Sequence, residues 1–402
     1  MFAPAIWLAI LTAVALHSGA ASAQKSAGAR QSACSARLKP LVIQVEFPDV
    51  PRKIESEFVR RRFLHEPDRY VREMSYGKAC LEGEVAKNWY RMPLPIKQYW
   101  VPWQNLKVDK QNLQRLIADA VAPAERDVDV TRYDFVIIVL AATALQWGNQ
   151  GLNTYPGLLG IADDSSLNTP GGNKIRGGVA IYAQSANLGK IVHNMAHIIA
   201  GVENGRRVLP DMYDQDSASA SAEKSGPLAI GALVRAQMHM GAWDPMSCNQ
   251  CLQRPGIPGM SAWTKLRLGW IDESKVRTVN VGERAEVRLG PLADAASKTL
   301  AVRIPLTAQT YYLVENRQLA GQDTNLPAGG VLIMLGDDSI PEPRKGRAPV
   351  RLINADPSVA NLDGAAFDVG KNEVFSDIEN GVTVRLTGKQ GASYNLRVDR
   401  SK

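Results

Sequence analysis

The chain has 402 residues, a formal net charge of +7 and only five histidines. Its length exceeds what one small core uses, so two domains are expected. The positive charge is scattered, and its local clusters, Arg60-Arg61-Arg62 and Arg344-Lys345-Gly346-Arg347, carry no interleaved aromatics, which argues against a nucleic-acid partner.

Met1 to Ala23 contains no lysine, arginine or acid, has an apolar run from Ala5 to Leu16, and ends in Ala21-Ser22-Ala23. This predicts a secretory signal peptide over residues 1–23, cleaved after Ala23, and an extracytoplasmic protein. No later stretch reaches the roughly eighteen apolar residues of a spanning helix, so no membrane span is expected after signal removal. Residues 24–38 are small and polar and predict a disordered lead-in. Four cysteines, Cys34, Cys80, Cys248 and Cys251, meet an oxidising compartment, and their even number favours structural disulfides with three pairings open. For Cys248-Asn249-Gln250-Cys251 a local disulfide is favoured over a redox role, since no second such pair completes a zinc site.

Leu41 to Phe47 predicts a strand that ends in the turn Pro48-Asp49, and Glu55 to Leu64 an amphipathic helix with Phe58 and Phe63 inward. Cys80 to Trp89 follows as a strand or hairpin near the first strand, and Gln111 to Ala122 as a helix with Leu113, Leu116, Ile117 and Val121 on one side. The nearly unbroken apolar run Tyr133 to Leu140 predicts a strand buried on both faces. A Gly, Asn, Asp and Pro-rich excursion from Gln146 to Arg176 then precedes the short strand Gly178 to Tyr182. Long loops of this kind usually belong to a site.

His193-Asn194-Met195-Ala196-His197 sits in a segment where Leu188, Ile191, Val192, Met195, Ile198 and Ile199 recur at helical intervals, downstream of capping or turn residues Ser185, Asn187 and Gly189. Four-residue spacing stacks both imidazoles on one helix face. The pattern is one residue from the zinc-protease signature, whose first histidine is followed by a glutamate that acts as general base; here Asn194 follows. Zinc needs only neutral imidazoles, but an amide takes no proton from a metal-bound water. Two hydrogen-bonded core histidines would show the same spacing. A third ligand is sought after the helix, with Asp211 preferred over Asp214 and Glu203.

Leu228 to Met240 reads as helix-like and leads into Gly241 to Ser247 and then Ser261 to Trp270. From Val276 the texture changes to short alternating segments, Ala285 to Leu289, Thr299 to Ile304, Tyr311 to Glu315, Val331 to Met334, Val382 to Leu386 and Tyr394 to Val398, which describes an all-β region.

In order, Ser75-Tyr76-Gly77-Lys78, the histidine helix, Pro210-Asp211-Met212-Tyr213-Asp214, Trp243-Asp244-Pro245-Met246-Ser247, Trp263 to Trp270 and Tyr311 to Arg317 span most of the chain after residue 23. Together they resemble the immune inhibitor A family of secreted zinc metallopeptidases. The resemblance implies an α+β fold, with a zincin-like (metzincin-like) metallopeptidase domain over residues 39–275 and an all-β C-terminal domain over residues 276–402. It implies His193, His197 and Asp211 as zinc ligands, Met246 as the methionine of a turn beneath the metal, and Asn194 at the general-base position. Val179, Ala180 and Ile181 are expected as a cleft-edge strand that pairs with an extended peptide. This chain departs from the family at Asn194, at Ala196 and Ala200 where glycine is usual, and in an insertion from Val202 to Leu209. The expected function is a secreted metallopeptidase-like protein that binds zinc and a peptide or protein, with proteolysis impaired or absent. The alternatives are an active zinc endopeptidase with another carboxylate, such as Glu203, as base, and a metal-free extracellular binding module.

Overall fold

Local sequence pattern accounts for most of the elements in the computed structural model, which describes residues 34–100, 110–147, 154–155, 167–175, 177–214, 216, 238–247 and 255–402. Strands β1 (Ala36–Leu38) and β2 (Pro40–Glu46) open the chain. Helix α1 (Ser56–Arg60) passes through a π-helical turn at Arg61–His65 into α2 (Glu66–Met74), so the helix expected to stop at Leu64 continues for ten more residues. Tyr70, Val71 and Met74 keep its buried face supplied, and this apolar face lies beyond the window that suggested the shorter helix. The segment expected as one strand or hairpin is two strands, β3 (Ala79–Leu81) and β4 (Glu84–Arg91). Gly83 separates them where a Cβ would stand 2.2 Å from the Pro40 carbonyl oxygen.

Helix α3 (Lys110–Ala124), strand β5 (Phe135–Leu140), helix α4 (Ala144–Trp147), strands β6 (Thr154–Tyr155), β7 (Leu167–Asn168), β8 (Lys174–Ile175) and β9 (Val179–Ala183), and helix α5 (Leu188–Ala200) follow. Five of the strands form one sheet in the order β4-β2-β5-β9-β6. All neighbours in it are parallel except β6, which runs antiparallel to β9. As expected, every residue of β5 is buried. One face of the sheet packs Leu41, Ile43, Val45 and Ile138 against Leu113, Leu116, Ile117 and Val121 of α3. The other face packs Val42, Ile137, Val139 and Tyr182 against Phe63, Tyr70, Ile191 and Met195.

A small hairpin, β10 (Val202–Glu203) with β11 (Arg206–Arg207), and helix α6 (Ala262–Arg267) lead to the C-terminal strands. These are β12 (Val276–Thr278), β13 (Glu283–Leu289), β14 (Ala301–Pro305), β15 (Thr310–Arg317), β16 (Gly330–Asp337), β17 (Val350–Leu352), β18 (Val374–Asp377), β19 (Val382–Gln390) and β20 (Ser393–Arg400). They form two sheets, β12-β14-β15-β16-β17 and β13-β20-β19-β18. The alternation that suggested strands follows directly from this stacking, with Val287, Leu289, Leu396 and Val398 facing Val302, Val314 and Ile333. All six strands expected after residue 276 are present, and β12, β17 and β18 are additional. The molecule is thus mixed α+β.

Cys34 to Lys402 forms one compact unit, and its core runs across the expected boundary at residues 275 and 276. Leu313, Leu332 and Met334 on one face of the first C-terminal sheet join Met195, Met246 and Trp263 in a single apolar cluster. Cys34 and Cys80 form a disulfide that holds the start of this unit beside β3. Cys248, Cys251 and residues 228–237 of the expected helix from Leu228 lie outside the described residues, as does most of the Gln146 to Arg176 excursion. Among the described residues no helix is long and apolar enough to cross a membrane.

A fully buried guanidinium ties the C-terminal sheet to the segments around Trp243 and Gly259. Arg317 donates to both Asp323 carboxylate oxygens, to Glu315, and to the carbonyls of Trp243 (3.0 Å) and Gly259 (2.8 Å). Removing one member of such a network leaves uncompensated charge in a dry interior. Arg317→Ala is therefore expected to lower stability by about 3–5 kcal/mol, read as a fall in the urea midpoint with an unchanged slope.

Candidate metal centre

Helix α5 forms where its cap and its apolar spacing agree. The Asn187 side chain accepts from the Lys190 backbone N–H at 3.0 Å and so closes the first turn. Residues Ile191 to Ile198 are all buried. The helix ends at Gly201, whose φ of 73° takes the chain out of the helix where a side chain would be strained. An Asn204-Gly205 turn, both residues at positive φ, then folds β10 onto β11. The segment from Val202 to Leu209 contains this hairpin, and it returns the chain to the helix at Leu209.

Burial of the helix on nearly every side places the two histidines in a dry setting, His193 at 6% and His197 at 1% exposure. Each ring has its Nδ1 at a backbone carbonyl: His193 at Pro245 O (2.9 Å) and His197 at Leu209 O (2.7 Å). A carbonyl only accepts, so both Nδ1 atoms carry the proton, and in the neutral rings both Nε2 atoms present lone pairs. These lone pairs point at one another and at Asp211. The two Nε2 atoms are 3.2 Å apart, and Asp211 Oδ1 lies 3.0 Å from His193 Nε2 and 3.2 Å from His197 Nε2. Bonds of about 2.0–2.1 Å to a small tetrahedral cation set ligand atoms about 3.3 Å apart. The observed triangle has that size, and the three residues could hold a metal ion.

The surroundings hold these acceptors in place. Asp211 Oδ2 accepts from Arg207 at 3.2 Å, while the rest of that guanidinium grips Glu342 at 2.7 Å through two bonds. Burial alone would raise the Asp211 carboxyl, but the Arg207 charge beside it holds it well below the ordinary carboxylate range. His197 is pushed down to about 4, by burial first and then by Arg207, with Asp211 opposing. Met246 is fully buried in the turn Pro245–Ser247; its carbonyl accepts from Met212 N–H, so this turn is stitched to the segment that carries Asp211. Asp244 closes the same turn by accepting from Met246 N–H, and from Ser261 N–H and Thr264 hydroxyl on its other oxygen. Tyr213 lies beside His193, ring centroids 6.2 Å apart.

The structure brings His193, His197 and Asp211 together and leaves the other candidate ligands out. Asp214 is fully buried but accepts from the backbone of Asp216 and Gly346, which makes it a loop anchor. Glu203 is exposed on β10, outside the cluster. Asn194 is 5% exposed, and its amide nitrogen has no hydrogen-bond partner among the described residues. The expectation for Val179, Ala180 and Ile181 needs correction. All three are buried, and Thr154–Tyr155 pairs antiparallel with Ile181 and Tyr182 and takes the edge there, while Val179 and Ala180 pair with β5 alone among the described residues. A two-residue strand inside a long Gly-rich loop carries too little pattern to be seen beforehand. Arg207 and Glu342 were also missed, since nothing in the local sequence pairs residues 135 positions apart. No known family model matches the chain, and no curated protein matches it.

The acid response of the metal-free protein follows from these charges. In the unfolded chain His197 protonates near 6.5, but in the folded chain only near 4, so acid favours unfolding across that window. A gap of this size corresponds to roughly 3 kcal/mol. Asp211, depressed when folded, adds stability above the ordinary carboxylate range that is also lost as pH falls. Urea midpoints of chelator-treated protein are expected to drop between pH 6.5 and 4, and to drop less steeply in His197→Gln.

Proposed function

We propose that this chain is a secreted, zincin-like metallopeptidase homologue of the immune inhibitor A kind, which holds zinc through His193, His197 and Asp211 and binds peptide without efficient cleavage. The observation that supports this most is the meeting of three acceptor atoms, 3.0 to 3.2 Å apart, in a buried site. Two imidazoles and one carboxylate are a donor set that suits zinc and leaves a fourth position open. Bound zinc would supply Lewis acidity toward a peptide carbonyl or a water.

The chain's own residues account for the rest. The Pro245 and Leu209 carbonyls fix the tautomer of each ring, as outer partners of metal-ligating histidines commonly do. Arg207 turns one Asp211 oxygen away from the histidines and leaves Oδ1 facing them. The antiparallel edge strand β6 packs beside α5 and supports the reading of a peptide-binding rim there. Asn194 follows the first ligand but cannot accept a proton at neutral pH. Glu203 on the exposed hairpin does not replace it.

Two measurements test the proposal. Elemental analysis of the purified chain is expected to give one zinc per molecule, lost in His197→Ala and Asp211→Ala; absence of zinc in the parent protein would overturn the ligand assignment. Asn194→Glu is expected to raise hydrolysis of a quenched peptide by about a hundredfold or more, with the gain abolished by a chelator. A zinc-bound variant with no such gain would show that more than the base is missing.

A further inference from the structure

Beside the β10–β11 hairpin lies a pocket of about 360 Å³ that takes part of its wall from Arg207 and Pro210, the partner and the chain neighbour of Asp211. Its volume falls in the range of ligand pockets. Its charged lining consists of three guanidinium groups, Arg206, Arg207 and Arg267, against two carboxylates, Glu203 and Asp338, and Asn204 adds an amide. Asp338 already accepts from Arg267 and from the Tyr311 hydroxyl. Arg207 is committed to Asp211 and Glu342. Arg267 donates to the Val208 carbonyl and to Asp338 and lies 4.1 Å above the Trp263 ring; its Nε is buried, with no acceptor among the described residues. Arg206 is exposed and joins no ion pair among the described residues, although Glu203 stands opposite it across the hairpin. Three guanidinium groups thus stand against two carboxylates in the lining, and the exposed Arg206 is the one in no ion pair among the described residues.

The geometry points to a carboxylate-binding subsite in this pocket, filled by the free C-terminus of a bound peptide or by a small dicarboxylic acid. Guanidinium forks match carboxylate geometry, and a pocket walled in part by Arg207, which also holds Asp211, puts this recognition next to the histidine site. As a statement about peptide ligands it rests on the proposed function; as a statement about carboxylate it stands alone.

The test is calorimetric titration of the full chain, with and without bound zinc, using acetyl-trialanine with a free C-terminus, the same peptide as its C-terminal amide, and succinate. The free acid is expected to bind at least tenfold more tightly than the amide, and to weaken as salt is raised. Arg206→Ala, at an exposed hairpin position, is expected to lose at least tenfold for the acid and nothing for the amide, with an unchanged melting temperature. Succinate binding alone, sensitive to the same substitution, would support the subsite and assign it to a free dicarboxylate. Equal binding of acid and amide, no effect of Arg206→Ala, or no heat with any probe would overturn the inference. Carboxylate binding that persists in a chain found to hold no zinc would leave this subsite standing while the metal reading falls.

Discussion

Three hydrogen-bond acceptors, two imidazole nitrogens and one carboxylate oxygen, are held against one another inside a region from which water is largely excluded. With both rings neutral, acceptors at that distance repel one another, and a proton or a cation placed between them removes that cost. The arrangement persists because each member is fixed from behind: His193 by the Pro245 carbonyl, His197 by the Leu209 carbonyl, and Asp211 by Arg207. A cation at the centre turns the same geometry from a liability into a binding site. That is the physical reason for reading the cluster as a metal centre rather than as a pair of core histidines.

The rest of the chain serves this constraint by stiffening the segments that supply the fixing groups. The turn at Pro245–Ser247 is closed by Asp244, which also holds the start of α6 through Ser261 and Thr264. Glu315 accepts from the Ala262 N–H, and Arg317 joins Glu315, Asp323 and the Trp243 carbonyl. A strand from the C-terminal half thus holds, through two buried charges, the turn beneath a helix from the N-terminal half. This explains why the two halves share an apolar cluster, and why the first C-terminal sheet is buried on both faces. Removing one partner of such a network strands a charge in the interior, so its members are held to this one arrangement together.

Arg207 occupies the boundary between the site and the neighbouring pocket. Its hairpin would look dispensable if judged by length or exposure alone. Yet the hairpin turns the chain back so that Leu209 and Asp211 reach the helix, and it contributes the cation that orients the carboxylate. The same short element exposes Arg206 to the pocket. Geometry at the histidines and chemistry in the pocket are therefore consequences of one Asn-Gly turn.

What could be read from residues alone was whatever depends on near neighbours. Helix α5, with its Asn187 cap, its apolar spacing and its glycine exit, follows from interactions within four residues, and so does the alignment of His193 with His197. The buried strand β5 and the alternating strands after Val276 are legible for the same reason, since period and burial are local properties. Asp211 was preferred over Asp214 and Glu203 in the sequence, but whether it reaches the histidines depends on how a loop of ten or so residues closes. Tertiary structure decided it, by giving Asp214 to the Gly346 backbone and sending Glu203 to the surface. It also decided that β9 is interior, that Glu342 backs Arg207, and that Arg317 bridges the two halves. Those contacts join residues far apart in the chain, and their energies depend on which groups are brought out of water together, a property that no single stretch of sequence carries.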